Sequence, residues 1–289
     1  MSIQPIHYSE LTPELMRSGC FVLDMPNDAY HASEGVSKSG LDLIARSPAH
    51  YRYSVRRDPT RAMAIGSAIH CALLEPERFR DEYVLLRDVK DRRASEYKQA
   101  IKSHPAENVL VASEADNVAA MQESVFSQPE ALAALAAPGW RELSAFVECP
   151  VTGVMLRCRF DLLTAKGEAY DLKKTQDARP KEFSKAVNNY RYHVQDAHYS
   201  RVFELITGKP LTRFAFIVVE EQPPNTARVF ELDALSKEVG KFYAMRDLKT
   251  YAKCEASGEW PHPGGGDGTI TIPNWAVMQY EDDLEESIT

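Results

Sequence analysis

The stretch EAYDLKKT, Glu168–Thr175, sets an aspartate two places before a lysine in a run that otherwise reads as a strand. Side chains alternate along a strand, so Asp171 and Lys173 share one face while Tyr170 and Leu172 point into the core. The preceding run adds Asp161 on a charged face of its own. A tight turn at 166–168 joins the two runs as a hairpin and can bring Asp161 close to Asp171. Two bare carboxylates repel, and one takes up a proton unless a cation lies between them. A divalent metal is the simplest resolution, and oxygen ligands select Mg²⁺ or Mn²⁺ over zinc. The carbonyl of Leu172 can add a further oxygen. An ammonium beside such a metal can position a water and stabilise charge developing on a phosphoryl oxygen. That is the chemistry of phosphodiester hydrolysis. The bland alternative is a surface hairpin with a loose ion pair, worth about 0–1 kcal/mol.

Three further groups bear on the choice. Gly66 and His70 lie at i and i+4 on one helix face, and His70 interrupts an otherwise apolar helix. It is either a satisfied core histidine or a nitrogen ligand completing a metal shell. Tyr192, Gln195 and Tyr199 fall at i, i+3 and i+7, a polar-tipped stripe. It is either a wetted core edge or one wall of a nucleic-acid groove beside the metal. Ser37, Lys38 and Ser39 open a helix, which makes either a plain N-cap or a phosphate cradle of free N–H groups, hydroxyls and one ammonium.

Elements must place these groups. Helical spacing appears over 62–75, ending near Glu75-Pro76, and around 94–102, 113–125 and 128–136. A short helix starts after Ser37 or Ser39, and Pro48 ends it or opens a second one. The character then changes to strands at 141–148 and 154–165. In the latter, Val154, Leu156, Cys158, Phe160 and Leu162 take the apolar face. Met155, Arg157, Arg159, Asp161 and Leu163 take the other. One long helix is expected from Pro180 to about Gly208, then two strands at 213–220 and 226–233, and a closing helix at 234–257. Residues 1–36 read as irregular or lightly structured, and Pro261–Thr269 as a loop. The pattern is α/β: a central mixed sheet flanked by helices. We expect one domain over 1–289, with an N-terminal segment (1–36), a mostly helical part (37–137), the sheet and its helices (138–260) and a loop with an acidic tail (261–289).

Composition sets outer limits. With 289 residues, 44% hydrophobic and 26% charged, the chain suits an ordinary globular protein with a sizeable core. No apolar run approaches the roughly 20 residues of a membrane span, and the N-terminus lacks the pattern of a signal peptide. The five cysteines are scattered without CxxC spacing, which argues against a disulfide framework, a zinc site or an iron–sulfur cluster. A cytoplasmic location is expected. The formal charge of −8 does not exclude DNA, because charge is uneven. The stretch Lys38–Arg61 holds six Lys/Arg against two Asp, whereas the tail YEDDLEESIT holds five acids and no base.

The ordered set His70, Asp161, Asp171-Leu172-Lys173 and Gln195-x-x-x-Tyr199 resembles the PD-(D/E)XK nuclease superfamily in its RecB-like branch. The stretch YHASEGVSKSGLDLIARSPAHYRY is similar to the opening of the exonuclease VIII (RecE-type) nuclease domain of phages and prophages, and GEWPHPGGGDGTITIPNWA to its closing elements. The resemblance spans about residues 28–277. It implies a Mg²⁺-dependent exonuclease that digests the 5′ strand of linear double-stranded DNA. The product is a 3′ single-stranded tail for a RecT-like annealing protein. It also implies a ring-shaped homo-oligomer. Carried over, His70, Asp161, Asp171 and the Leu172 carbonyl hold metal, with Glu142 as an outer ligand. Lys173 positions or activates water, and Gln195 and Tyr199 support the site. Ser37, Lys38 and Ser39 with Arg157 and Arg159 are candidate DNA or phosphate contacts. The family often continues with Thr-Thr after the lysine. Here Lys174-Thr175 follows, which leaves the contact of Lys174 open. Two alternatives remain: a RecB-like nuclease of other polarity or single-strand preference, and a non-catalytic protein that binds DNA ends.

Overall fold

Seven strands form one sheet in a computed structural model that describes residues 3–55, 59–264 and 270–288. In chain order the strands are β1 (Ile6–His7), β2 (Cys20–Leu23), β3 (Val84–Leu86), β4 (Val109–Val111), β5 (Gly139–Glu148), β6 (Met155–Thr164), β7 (Glu168–Thr175), β8 (Arg213–Glu220) and β9 (Ala227–Glu231). The large sheet runs β1-β2-β5-β6-β7-β8-β9, while β3 and β4 pair separately. β5, β6 and β7 form an antiparallel meander, and β8 returns parallel to β7 after a helical crossover. β8 is buried on both faces, which is why its sequence is a continuous apolar run.

Helices cover both faces. On one lie Lys38–Arg46, Pro180–Asn189, Tyr192–Thr207 and Ala234–Ser257, packed on Leu156, Phe160, Phe214 and Phe216. On the other lie Arg61–Leu74, Ala112–Ser127 and Pro129–Ala136, packed on Leu162, Tyr170, Leu172 and Ile217. The expected α/β layering is present.

Three expectations change. First, the N-terminal segment joins the sheet: Cys20, Phe21 and Val22 are buried and pair with β5. Four residues are too few to stand out as a strand, but β5 supplies the partner. Second, the helix expected over Pro180–Gly208 is two helices. Arg191 adopts a left-handed conformation, φ 54 and ψ 44, between them. Gly208 does end the second, at φ 69.

Third, the alternation of β6 slips. Leu163, not Leu162, shares a core with Phe160. The cause lies across the ladder. Glu142 has φ 49, and the pairing passes from Arg141 with Leu162 to Leu143 with Phe160 without bonding Glu142 to Asp161. One residue on each strand, Glu142 and Asp161, is left out of the ladder there, and the regular alternation of β6 ends at that break. Of the loop expected over Pro261–Thr269, residues 265–269 lie outside the described residues. Trp260 anchors its start by stacking on Tyr51, centroids 5.6 Å apart. The two flanking motifs of the sequence therefore meet in space.

Candidate metal and phosphodiester site

The sheet opens where the charged residues lie. Pairing of β6 with β7 ends at Leu162 opposite Tyr170, so the next pair outward, Asp161 and Asp171, is not laddered. The Leu172 N–H is satisfied instead by Asp161 Oδ2 at 2.8 Å. Glu142 faces Asp161 from the other side of the same break. His70 reaches up from the Arg61–Leu74 helix, its Nδ1 3.5 Å from Asp161 Oδ2 and its Nε2 2.9 Å from the Leu172 carbonyl oxygen. One ligand atom each from His70, Glu142 and Asp161 lies within 4.8 Å of the others. Gly66, one turn before His70, leaves open space beside its Cα.

Electrostatics say what this cluster lacks. Burial, with Asp161 and Glu75 nearby, pushes the Glu142 carboxyl up to about 8. Burial and the Asp171 charge push Asp161 up to about 6, against the pull of His70 and Lys173. Both acids are short of positive charge. The donors are two carboxylates, a carbonyl and an imidazole, without a thiolate. They fit a hard divalent cation. The backbone of Glu142, strained for a non-glycine residue, fits a functional position as well.

Asp171 belongs to a second chain of contacts on the opposite face. Its Oδ2 is 2.5 Å from Lys173 Nζ, and its Oδ1 accepts from Gln195 Nε2 at 2.5 Å. The Lys173 ammonium lies 4.7 Å from the centre of the Tyr192 ring. Burial disfavours its charge, but Asp171 and Asp161 outweigh burial and hold the pKa above the ordinary lysine value. Lys173 therefore stays protonated near neutral pH and acts as a donor, not a base. Gln195 orients Asp171, and Asp171 orients Lys173.

The remaining candidates divide. Glu142, expected as an outer ligand, is a full member of the cluster, while the Asp171 carboxylate stands outside it. The Tyr199 ring packs edge-on against Phe160 and Phe214, at 5.2 and 5.9 Å. Of the two tyrosines, Tyr192 is the one whose ring faces the Lys173 ammonium. Ser37 caps its helix by accepting from the Gly40 N–H at 3.3 Å. Ser37 and Ser39 line a cleft of about 860 Å³ with Arg52, Arg157 and Trp260. Lys38 points elsewhere, to Asp42 at 2.7 Å and the Tyr190 carbonyl at 2.5 Å.

Arg159 is not free for phosphate. Its Nε donates to Ser144 Oγ at 3.0 Å and its Nη2 to the Met25 carbonyl at 2.8 Å, with the Tyr30 ring 4.4 Å away. Arg157 Nη1 donates to the carbonyls of Tyr30, His31 and Ser33. The charged face of β6 thus meets the N-terminal segment, whose partnership the alternation alone could not show. Lys174 pairs with Glu221 at 2.7 Å. Glu142 was the residue hardest to rank from sequence, because its role depends on its backbone angle.

A family model described as "PDDEXK-like domain of unknown function (DUF3799)" matches residues 37–268. Among solved structures, a crystal structure from Eubacterium rectale, described as a candidate exonuclease, aligns with a TM-score of 0.58 at 13% identity. The alignment covers 87% of this chain and 96% of that one. At that identity the likeness establishes the fold. No curated protein matches the chain. Among the described residues, no helix is long and apolar enough to cross a membrane.

Proposed function

Because the chain belongs to the PDDEXK-like domain family, we propose that it is a Mg²⁺-dependent nuclease acting on linear double-stranded DNA. The observation that carries this reading is one site assembled from two faces of the sheet. His70, Glu142 and Asp161 can hold a cation, with the Leu172 carbonyl beside them, and Lys173 projects from the next strand position. A divalent cation, when bound, lowers the pKa of a coordinated water and draws charge from a phosphoryl oxygen. The chain supplies the rest. Lys173, kept charged by Asp171, donates to the attacking water or to a phosphoryl oxygen and stabilises developing negative charge. Gln195 and Tyr192 hold that ammonium in place, so little reorganisation is needed during reaction.

The finer reading is a 5′-to-3′ exonuclease leaving 3′ tails for phage-type recombination, with a RecT-like annealing protein as partner and a closed ring as the assembly. Its support is the sequence resemblance carried by the stretches that contain Ser37, Ser39 and Trp260, which meet in one cleft. Digestion of linear duplex labelled separately at the 5′ and 3′ ends, with and without Mg²⁺, tests activity, polarity and metal need together. Loss of the 5′ label first, only with metal, is expected. Release from the 3′ end, or preference for single strands, would replace the polarity or substrate assignment. Binding of ends without cleavage in any divalent metal would make the protein an end-binding one.

A further inference from the structure

The knuckle Tyr190-Arg191-Tyr192 between the Pro180–Asn189 and Tyr192–Thr207 helices is held more firmly than a connection requires. Arg191 occupies the left-handed region, which is costly for a long side chain. Its guanidinium donates to Asp42 at 3.0 Å, to the Leu41 carbonyl at 3.2 Å and to the buried Asp247. Lys38 fastens the Tyr190 carbonyl at 2.5 Å. The result is a fixed pair of rings. Tyr192 is turned inward, over Lys173. Tyr190 stacks on it, centroids 5.7 Å apart and planes 24° apart, yet remains 62% exposed. Both rings line a cleft of about 610 Å³ together with Met63, Gly66 and Lys174. Gly66, one helical turn before His70, lines that cleft with open space beside its Cα.

We propose that Tyr190 is a stacking platform for a nucleobase of the strand being cleaved, next to the scissile phosphate. This rests on the nuclease reading above. A phosphate held between the His70 cluster and Lys173 leaves its attached nucleoside with the cleft as the adjoining space. A rigid exposed ring loses little entropy on stacking. Every base has a π-face, so such a platform is indifferent to sequence, as an enzyme that degrades along a strand requires. Lys38 then acts as a positioning residue, through the Tyr190 carbonyl.

The test uses the full chain with Ca²⁺ replacing Mg²⁺ to keep DNA uncut. A fluorescent aminopurine is moved one nucleotide at a time along the end of a linear duplex. Wild type is expected to quench it at one position, and Tyr190→Ala to remove that quenching and weaken binding roughly tenfold. Tyr190→Phe should restore both. An abasic nucleotide at the same position should weaken wild-type binding and leave Tyr190→Ala unaffected. In Mg²⁺, Tyr190→Ala should raise KM far more than it lowers kcat. Equal quenching in wild type and Tyr190→Ala, or equal sensitivity to the abasic site, overturns the platform. Position-specific quenching without cleavage in Mg²⁺ or Mn²⁺ overturns the nuclease reading and keeps the platform.

Discussion

Strand β6 carries two charged regions with opposite fates. At one end, Arg157 and Arg159 are consumed by the chain itself, through the carbonyls of Met25, Tyr30, His31 and Ser33. Toward the other, Asp161 meets Glu142 and His70 with too little positive charge to neutralise the two acids. Both regions began as polar residues alternating with a core. The difference is whether the protein supplies the partner. Where it does, a buried charge is structural; where it does not, the charge awaits a ligand. The break in pairing at Glu142 and beyond Leu162 marks the second region, since an intact ladder would have used those backbone groups internally.

The sharpest test of the contrast is to remove the ammonium. Lys173→Ala should lower Mg²⁺-dependent hydrolysis by about 10²–10³-fold, as loss of an oriented donor to developing charge does. Circular dichroism should show the fold intact. Full activity in a pure preparation would remove Lys173 from the chemistry.

The acids give the next largest effect, and its sign distinguishes a ligand-seeking site from a structural one. Glu142 is raised from its ordinary 4.5 to about 8, so the native state holds this proton longer than the unfolded chain does. The metal-free stability should therefore be full below about pH 4.5 and fall as pH rises toward about 8. A divalent cation should raise Tm, more at the upper end of that window than at the lower. Glu142→Gln should stabilise the metal-free protein near pH 8 and lose most of the cation-dependent rise. A Tm in chelator that climbs over the same window would reverse the assignment.

The legibility of these regions from sequence was unequal, for a physical reason. Asp171 and Lys173 were readable because two residues on one strand need only the pleat to share a face. His70 and Gln195 were readable as helical residues of unusual type. The central place of Glu142 was not, because it follows from a φ of 49 that Arg141-Glu142-Leu143 does not announce. The contacts of Arg159 were not legible because its partner, the Met25 carbonyl, is 134 residues away in the chain. The break at Arg191 depends likewise on Asp42 and Asp247, each remote in sequence.

The structural end of β6 should respond in stability first. Arg159→Met keeps an apolar stem of similar bulk but leaves the Met25 carbonyl and Ser144 Oγ without their donor. Such a loss costs about 2 kcal/mol, or roughly 3 °C in Tm for a domain of this size. Activity per folded molecule should fall far less than in Lys173→Ala. A variant with unchanged Tm but weakened DNA binding would return Arg159 to the phosphate contacts.

Lys174 carries the smallest expected effect and isolates its neighbour. It sits one residue from Lys173, yet its ammonium pairs with Glu221, and both side chains are mostly buried, at 14% and 18% exposure. Glu221 also accepts from Gln176 at 3.0 Å, so removing the lysine does not strand the carboxylate. Lys174→Met should cost about 1 kcal/mol, at the upper end of ordinary ion pairs, and shift Tm by roughly 2 °C. Because its charge is already matched, hydrolysis should change little beside the loss in Lys173→Ala. A comparable loss of hydrolysis in both variants, with both folded, would mean that the lysine strand acts through its summed positive charge. The oriented contact of Lys173 with Asp171 would then not be what the chemistry uses.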